Sequence, residues 1–293
     1  MPPLPADADA LTTLAPEALG AWTDVVAALP GSMDRDRLAT LAATVAGVLR
    51  AEPTDIPVAA DPVATELDPP VQRLVEQFVT DVSAIDDELR AAALTALGVD
   101  AFPFVQALYV VDLGTRVGAA WRQLFGVVPP RPEPSAAELW PALEASMRAI
   151  ARLDALDPVT TEIVRLRGAR AHDCRLCRSL RNVRAAEAGT DERTYDQIDD
   201  YERSELPERH RVALRLVDAM LWQPAAYPDG LALAVAEHFT AAETVELVLD
   251  VARNAANKIA VAFAADDPHV TDGVEFYDVD ADGELVYGLT PRT

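Results

Sequence analysis

Cys174 and Cys177 are the only two cysteines of the 293-residue chain, and two residues separate them. The run from Arg170 to Arg178 reads Arg-Ala-His-Asp-Cys-Arg-Leu-Cys-Arg, which places both thiols in one turn of a predicted helix. Two thiols at this spacing can cycle between dithiol and disulfide, and a helix start with nearby arginines favours the reactive thiolate. The sequence therefore predicts redox chemistry at one point of the chain.

A carboxylate is predicted to accompany the thiols. Glu162 precedes Cys174 by twelve residues and falls on a predicted helix, Pro158–Ala171, that Asp157 caps at its N-terminus. If this helix turns back into the cysteine helix, the Glu162 carboxylate faces the sulfurs. A buried carboxylate beside a thiol can accept the thiol proton.

Two further side chains complete the predicted site. Arg181 lies four residues after Cys177, so a continuous helix places it on the same face as that sulfur. His172 lies two residues before Cys174 and is either a proton carrier or a helix-cap residue. Two other interpretations stay open for the cysteines. They are inert core thiols, or they form a zinc site with His172 and Glu162, although the spacing is irregular for zinc.

Helical periodicity dominates the chain, with Ala-rich runs separated by Pro, Gly and Asp clusters, which predicts an all-α fold. The predicted helices are Pro16–Leu29, Arg35–Arg50, Pro69–Ser83, Asp86–Ala96, Ala101–Phe125, Ala136–Leu153, Pro158–Ala171, Cys174–Ala188, Glu192–Asp200, Glu208–Leu221, Asp229–His238 and Ala241–Ala264.

The chain also shows a diverged internal duplication. Leu74–Trp121 and Leu216–Phe263 align without a gap at a constant separation of 142 residues. We therefore predict a first helical repeat over 1–128 without cysteines, a proline-rich linker over 129–135, and a second repeat over 136–272 that holds the Cys pair. The first and second repeats are called the first and second halves below.

The end of the chain departs from the helical pattern. Val274–Asp278 and Glu284–Tyr287 flank an Asp-Ala-Asp-Gly turn, so we predict a β-hairpin and tail over 273–293. The acidic residues at positions 278, 280 and 282 resemble the start of a calcium loop, but the twelfth position is Leu289, where a bidentate Glu is required. A plain hairpin turn is the favoured interpretation.

Composition excludes some classes of partner. The net charge of -23 disfavours nucleic acid and anionic membrane surfaces. No uninterrupted apolar stretch reaches the roughly 18 to 20 residues of a membrane span, and the first residues lack the basic and apolar regions of a secretory signal. We therefore expect a cytoplasmic protein, in which a Cys pair is more often catalytic, redox-sensing or metal-binding than structural.

The order Glu162, eleven residues, then Cys174-x-x-Cys177 is similar to the signature of the carboxymuconolactone decarboxylase and AhpD-like alkylhydroperoxidase family. Leu247–Ala264, with Asn254 and the pair Asn257-Lys258, resembles the closing helix of that family. The resemblance implies an AhpD-like all-helical fold and a thiol peroxidase site. It covers the second half directly and the first half only through the duplication.

The resemblance also implies roles. Cys177 would be the peroxidatic thiol and Cys174 the resolving thiol, whereas helix-terminus electrostatics alone favours Cys174 as the more acidic one. The relay histidines of the family's peroxidases fall at Arg181 and Leu176 in this chain. Arginine stabilises an anion but accepts no proton at neutral pH, so proton delivery differs here.

The favoured function is reduction of a small hydroperoxide by the Cys pair, with an external dithiol as reductant and without a bound cofactor. One alternative is a degenerate member of the family that acts as a redox sensor or non-catalytic scaffold. Another is a lactone decarboxylase, a chemistry that does not need vicinal thiols. An Ala-rich duplicated helical protein is also expected to form a homo-oligomer, a dimer or trimer.

Overall fold

The protein is described by a computed structural model that covers residues 8–53, 56, 66–127 and 130–292. Helices make up most of these residues, and three short strands join them. The helices are α1 Ala8–Thr12, α2 Pro16–Ala28, α3 Arg35–Leu49, α4 Pro69–Asp81, α5 Asp87–Leu97, α6 Ala101–Phe125, α7 Leu139–Ala151, α8 Pro158–Ala171, α9 Arg175–Ser179, α10 Val183–Glu187, α11 Glu192–Asp196, α12 Glu208–Trp222, α13 Leu231–His238, α14 Ala241–Asn254 and α15 Asn257–Ala262. The strands are β1 Leu180–Asn182, β2 Glu275–Val279 and β3 Leu285–Leu289.

Most of the predicted helices are found close to their predicted bounds, and α6 and α8 have the predicted bounds at both ends. The start of α8 shows why. Asp157 Oδ1 accepts a hydrogen bond from the backbone N–H of Thr160 at 2.9 Å, and Pro158 occupies the first turn, where no amide hydrogen is needed. The cap and the proline fix the first turn of the helix that carries Glu162.

The predicted helix over Cys174–Ala188 is wrong. The structure divides it into α9, strand β1 and α10. Strand β1 pairs in parallel with β2, Leu180 opposite Glu275, and the Asn182 side chain accepts hydrogen bonds from Arg184 N and Ala185 N to cap α10. Pairing with a strand almost a hundred residues away overrides local helical propensity here.

The predicted C-terminal hairpin is confirmed, with each strand within about two residues of its predicted bounds. It is not isolated, however, because β1 extends it to a sheet in the order β1-β2-β3. The fold class is therefore mostly helical with a small three-stranded sheet, and the prediction of an all-α protein with a separate hairpin needs this correction.

Two smaller differences concern helix ends. The predicted helix Ala241–Ala264 is interrupted between α14 and α15, where Ala256 N donates to Arg253 O in a tight turn. Asn254 and Asn257 flank this turn, and asparagine is a weak helix former. The short helix α1 is not predicted from the sequence.

The main core draws side chains from both halves, from Leu11 in α1 to Ala262 in α15. Helix α6 runs through it with 19 buried residues, including Asp112 and Arg116. The stretch Asp87–Phe125 is long and apolar enough to cross a membrane by length and composition, with a mean hydropathy of 1.6. Half of its most apolar 18-residue window is buried inside the protein, and most of the buried residues of the stretch belong to α6.

The order of helices agrees with the predicted duplication. Helices α4, α5 and α6 of the first half and α12, α13 and α14–α15 of the second half begin within about three residues of a separation of 142. Superposition of the two halves and their assignment as AhpD-like repeats remain predictions. Of the predicted linker, residue 129 lies outside the described residues, and Ser135 N donates to Ala27 O at 2.8 Å, which anchors the segment on the end of α2.

Candidate active site around the Cys pair

The two cysteines lie in the turn that follows α8. Their Cα atoms are 5.3 Å apart and their sulfurs are bonded, which confirms the prediction that they lie within disulfide reach. Cys174 is the N-cap of α9, and its Sγ accepts a hydrogen bond from Cys177 N at 3.2 Å. The turn is tight, because Asp173 between α8 and Cys174 adopts a left-handed conformation with φ of 50°.

The two thiols differ in access. Cys174 is 1% exposed and packs in the main core, whereas Cys177 is only partly buried and lines a cavity of about 460 Å³. Apolar and aromatic side chains form much of the cavity wall, among them Met147, Leu180 and Tyr277. Of the two cysteines, Cys177 and not Cys174 is therefore the one that a small molecule in this cavity contacts.

Glu162 is 1% exposed, which agrees with the prediction that it is buried, but it does not act on a sulfur in this structure. Its two carboxylate oxygens accept hydrogen bonds from Arg165 Nε and Nη2 at 2.7 and 2.8 Å, from Asn182 N at 3.0 Å and from the Tyr277 hydroxyl at 3.2 Å. These four donors occupy the carboxylate. Among the described residues, no hydrogen bond joins it to either cysteine.

Arg165 connects the Glu162 carboxylate to the backbone that follows Cys177. Its Nη1 donates to Cys177 O at 2.8 Å and its Nη2 donates to Leu180 O at 2.7 Å. Burial disfavours the charged guanidinium, but the Glu162 carboxylate outweighs this and raises the pKa of Arg165. A permanent cation therefore fixes the backbone on the C-terminal side of Cys177. The sequence reasoning missed Arg165, although its position three residues after Glu162 on a helix was a usable signal.

Arg181 is placed differently from the prediction. Because α9 ends at Ser179, Arg181 lies in β1 and does not share a helix face with Cys177. Its guanidinium forms a bidentate pair with Glu192 at 2.7 and 2.8 Å and lies over the Tyr195 ring. The prediction that Arg181 lies on the same helix face as the Cys177 sulfur is therefore wrong, and Arg165 is the arginine that contacts Glu162 and the Cys177 backbone.

His172 is the C-cap residue of α8, as one of its two predicted roles requires, and it is 5% exposed. Its Nδ1 lies 2.8 Å from the Oδ1 of Asn257. Burial, and next the nearby Lys258 cation, lower the pKa of His172 to about 3, so the ring is neutral at physiological pH. His172 does not line the cavity, but its partner Asn257 does.

The C-terminal hairpin covers the site, which the sequence did not predict. Tyr277 on β2 is 5% exposed, and burial raises its pKa, so its hydroxyl keeps its proton and donates to Glu162. Glu284 at the hairpin turn pairs with Arg148 on α7, and Leu285 and Tyr287 on β3 also line the cavity. The hairpin therefore forms one wall of the cavity beside Cys177.

The open metal interpretations find little support in the geometry. Glu162 is held by Arg165 and His172 by Asn257, and within the described residues no group of three or more His, Cys, Asp or Glu side chains is arranged to hold a metal. In the acidic hairpin turn, Arg184 pairs with Asp278, and Asp280 Oδ1 accepts the backbone N–H groups of residues 282 and 284. This is the hydrogen bonding of an ordinary turn.

The fold and site define a mostly helical protein with a buried carboxylate–arginine pair behind a vicinal cysteine turn. Two proteins from strains of Mycobacterium tuberculosis, named Uncharacterized protein MT2376 and Uncharacterized protein Rv2313c, are each 42% identical to this chain over 227 residues. The match covers 74% of this chain and 80% of each relative. The chain therefore belongs to the same family as these mycobacterial proteins. No family model matches the chain, and no solved structure matches it.

Proposed function

We propose that the chain is a thiol-dependent hydroperoxide reductase of the AhpD-like type, in which Cys177 is the peroxidatic thiol and Cys174 the resolving thiol. The observation that supports this is the difference in access, because Cys177 lines the cavity and Cys174 is buried behind it within bonding distance. The resemblance of the Glu162 and Cys-x-x-Cys spacing to that family supports the same assignment.

The chemistry follows from the two sulfurs. The Cys177 thiolate attacks the terminal oxygen of the hydroperoxide, the S–O bond forms, and the O–O bond breaks. The alkoxide leaves, takes a proton from water and becomes the alcohol. Cys174 then gives up its proton and attacks the sulfenic sulfur, so that the S–S bond forms and the hydroxyl leaves as water. An external dithiol returns two electrons and two protons and is itself oxidised to a disulfide.

The surrounding residues position and activate Cys177. Arg165 lines the same cavity and holds Cys177 O, so a fixed cation lies in the wall that meets the thiolate. Nearby positive charge lowers the pKa of a thiol and so favours the nucleophilic form. In this proposal Glu162 is a positioning residue that orients Arg165. The predicted role of Glu162 as the acceptor of the thiol proton is not retained.

The second candidate is a redox sensor or scaffold that forms the disulfide with little turnover. Missing proton-relay groups favour it. Neither Arg181 nor His172 lines the cavity, and no histidine stands where the family's relay histidines fall. Lactone decarboxylation has no comparable observation in its favour. The cytoplasmic location, the homo-oligomeric state and the absence of a bound cofactor remain expectations.

Turnover distinguishes the two candidates. Purified protein is mixed with cumene hydroperoxide and an excess of a dithiol, and loss of peroxide is followed against time. The proposal predicts many turnovers per protein molecule for wild type and none for Cys177→Ser. A single equivalent of peroxide consumed, followed by a stop while dithiol remains and the disulfide persists, would favour the sensor or scaffold.

A further inference from the structure

The cavity beside Cys177 has further polar groups in its wall, on helix α14. Arg253 and Asn254 lie in the last turn of α14, and both line the cavity. Arg253 Nε donates to Met147 O at 3.1 Å, which fixes the side chain against α7. The remaining guanidinium nitrogens of Arg253 and the Asn254 amide have no protein partner within the described part of the chain.

The other two arginines of the cavity wall each form an ion pair with a carboxylate of the protein. Arg165 is bound by Glu162, and Arg148 pairs with Glu284 across the gap between α7 and the hairpin. Arg253 has no carboxylate within ion-pair distance among the described residues, although its charge partly offsets the rise that burial causes in the pKa of Asp250 one turn earlier on α14. Buried or half-buried charges are normally paired, so an unpaired guanidinium that faces a cavity is a binding group for an anion.

The rest of the wall indicates what the anion is attached to. Besides Arg253 and Cys177, the wall includes Met147, Leu180, Leu285 and Tyr277. A volume of about 460 Å³ is in the range of small-molecule pockets, roughly 300–1,000 Å³. A molecule with an apolar body and one carboxylate fits this combination better than inorganic peroxide or a neutral alkyl peroxide.

We propose that Arg253 and Asn254 bind the carboxylate of the substrate, and that the substrate is an organic hydroperoxide with an apolar body and an anionic end. This rests on the function proposed above. The guanidinium donates two hydrogen bonds to the carboxylate and the Asn254 amide donates a third. Anchoring at this end holds the peroxide at the other end of the molecule, towards Cys177.

One carboxylate of the wall opposes this binding. Glu144 on α7 also lines the cavity, and it makes no ion pair among the described residues. It therefore repels an anionic ligand. This predicts opposite effects for two neutralising substitutions: Arg253→Met weakens carboxylate binding, and Glu144→Gln strengthens it.

The kinetic test uses a matched pair of substrates, cumene hydroperoxide and its para-carboxylate derivative. Second-order rates of Cys177 oxidation are measured by stopped flow on the reduced full chain. Wild type is expected to react roughly tenfold or more faster with the carboxylate, as a charge-assisted hydrogen-bonded pair allows. Arg253→Met should remove this preference, so that the ratio of the two rates falls to about one. The control Arg203→Met, at a side chain that is 86% exposed, should behave as wild type.

Calorimetry tests the anchor without any chemistry. Binding of para-isopropylbenzoate is compared with that of para-isopropylbenzamide, for wild type, Arg253→Met, Arg253→Lys and Glu144→Gln, after circular dichroism has shown that each variant is folded. The proposal is supported if wild type prefers the benzoate and this preference falls in Arg253→Met. It should be partly kept in Arg253→Lys and should grow in Glu144→Gln. Equal binding of benzoate and benzamide to wild type, or no binding of either, overturns it. If benzoate binds but no hydroperoxide oxidises Cys177, the proposed function fails while the carboxylate site stands.

Discussion

Two buried carboxylate–arginine pairs on helices have different surroundings in this protein. In the first half, Arg116 pairs with Asp112 at 2.7 Å and donates to the backbone oxygens of Met220, Leu221 and Val79. In the second half, Arg165 pairs with Glu162 at 2.7 Å and donates to backbone oxygens of the cysteine turn. Each arginine therefore joins its own helix to backbone elsewhere in the fold.

The two carboxylate–arginine pairs differ in the third side chain that binds the carboxylate, which is Lys258 for Asp112 and Tyr277 for Glu162. Lys258 donates to the other oxygen of Asp112 at 2.5 Å, so that pair joins the two halves within the core. Tyr277 donates to Glu162, and Arg165 lines the cavity with Cys177. A buried ion pair is thus no mark of an active site by itself. The adjacent cavity and thiol make Glu162–Arg165 a candidate for function and leave Asp112–Arg116 as a structural clamp.

The largest expected effect is on the structural clamp. Asp112→Ala leaves the Arg116 and Lys258 cations buried without an anion, which should lower the free energy of unfolding by about 3–5 kcal/mol. Urea unfolding followed by circular dichroism measures it. Asp87→Ala is the matched control, since Asp87 is fully exposed in its pair with Arg90 and its loss should cost far less. Equal costs for the two variants would contradict the clamp.

The second effect distinguishes a functional pair from a merely structural one. Glu162→Gln keeps the size of the side chain but removes the charge that holds Arg165, and should cost about 2 kcal/mol of stability. Because Arg165 fixes Cys177 O, the variant should also slow the oxidation of Cys177 by peroxide. The control Glu192→Gln removes the partner of Arg181 and should leave that rate unchanged. An unchanged rate in Glu162→Gln would reduce this pair to a second structural clamp.

A third effect comes from a buried carboxyl that lacks an arginine partner. Burial raises the pKa of Asp250 to about 7, against the partial compensation of Arg253. The folded state therefore holds a proton that the unfolded state has released between about pH 4 and pH 7, so this group lowers stability as pH rises through that window. Asp250→Asn should gain stability relative to wild type by about 1–3 kcal/mol from pH 4 to pH 8. A difference that does not change with pH would contradict this.

The smallest effect is expected at Arg181, which sequence spacing had placed beside Cys177. Because Arg181 binds Glu192 and does not line the cavity, Arg181→Ala should leave the pKa of the Cys177 thiol unchanged. Thiolate absorbance against pH gives this pKa, and Arg165→Met serves as the comparison that should raise the thiol pKa. Arg181→His should likewise give no gain in peroxide turnover. A raised thiol pKa in Arg181→Ala would place the functional cation at Arg181 after all.

Local signals predicted the scaffold of the site. Asp157 and Pro158 fix the start of α8, so the position of Glu162 on a buried helix followed from the sequence. The thiol pair also followed, since a separation of two residues brings both Cα atoms within bridging range in nearly any turn. The order and approximate bounds of the helices were predictable because capping and hydrophobic periodicity are local signals that extend over a few residues.

Long-range pairing accounts for what the sequence did not show. Nothing near Leu180 indicates that this segment pairs with β2, so the helix was extended through β1 and Arg181 was assigned to the wrong face. The partner of Glu162 is Arg165, one turn further along α8, and the spacing of three residues on a helix is itself a local signal for such a pair. Tyr277 and the cavity wall formed by the hairpin come from tertiary packing alone.

The central claim is that Cys177 reacts with the hydroperoxide and that Cys174 then attacks the sulfenic acid formed on Cys177. Reduced protein is exposed to a small excess of cumene hydroperoxide in the presence of dimedone, which traps sulfenic acid, and the modified residue is located by mass spectrometry. The account predicts a dimedone adduct on Cys177 in Cys174→Ser, no adduct in Cys177→Ser, and a disulfide in wild type. An adduct on Cys174 in Cys177→Ser, formed as fast as the Cys177 adduct, or no oxidation of either cysteine, would contradict it.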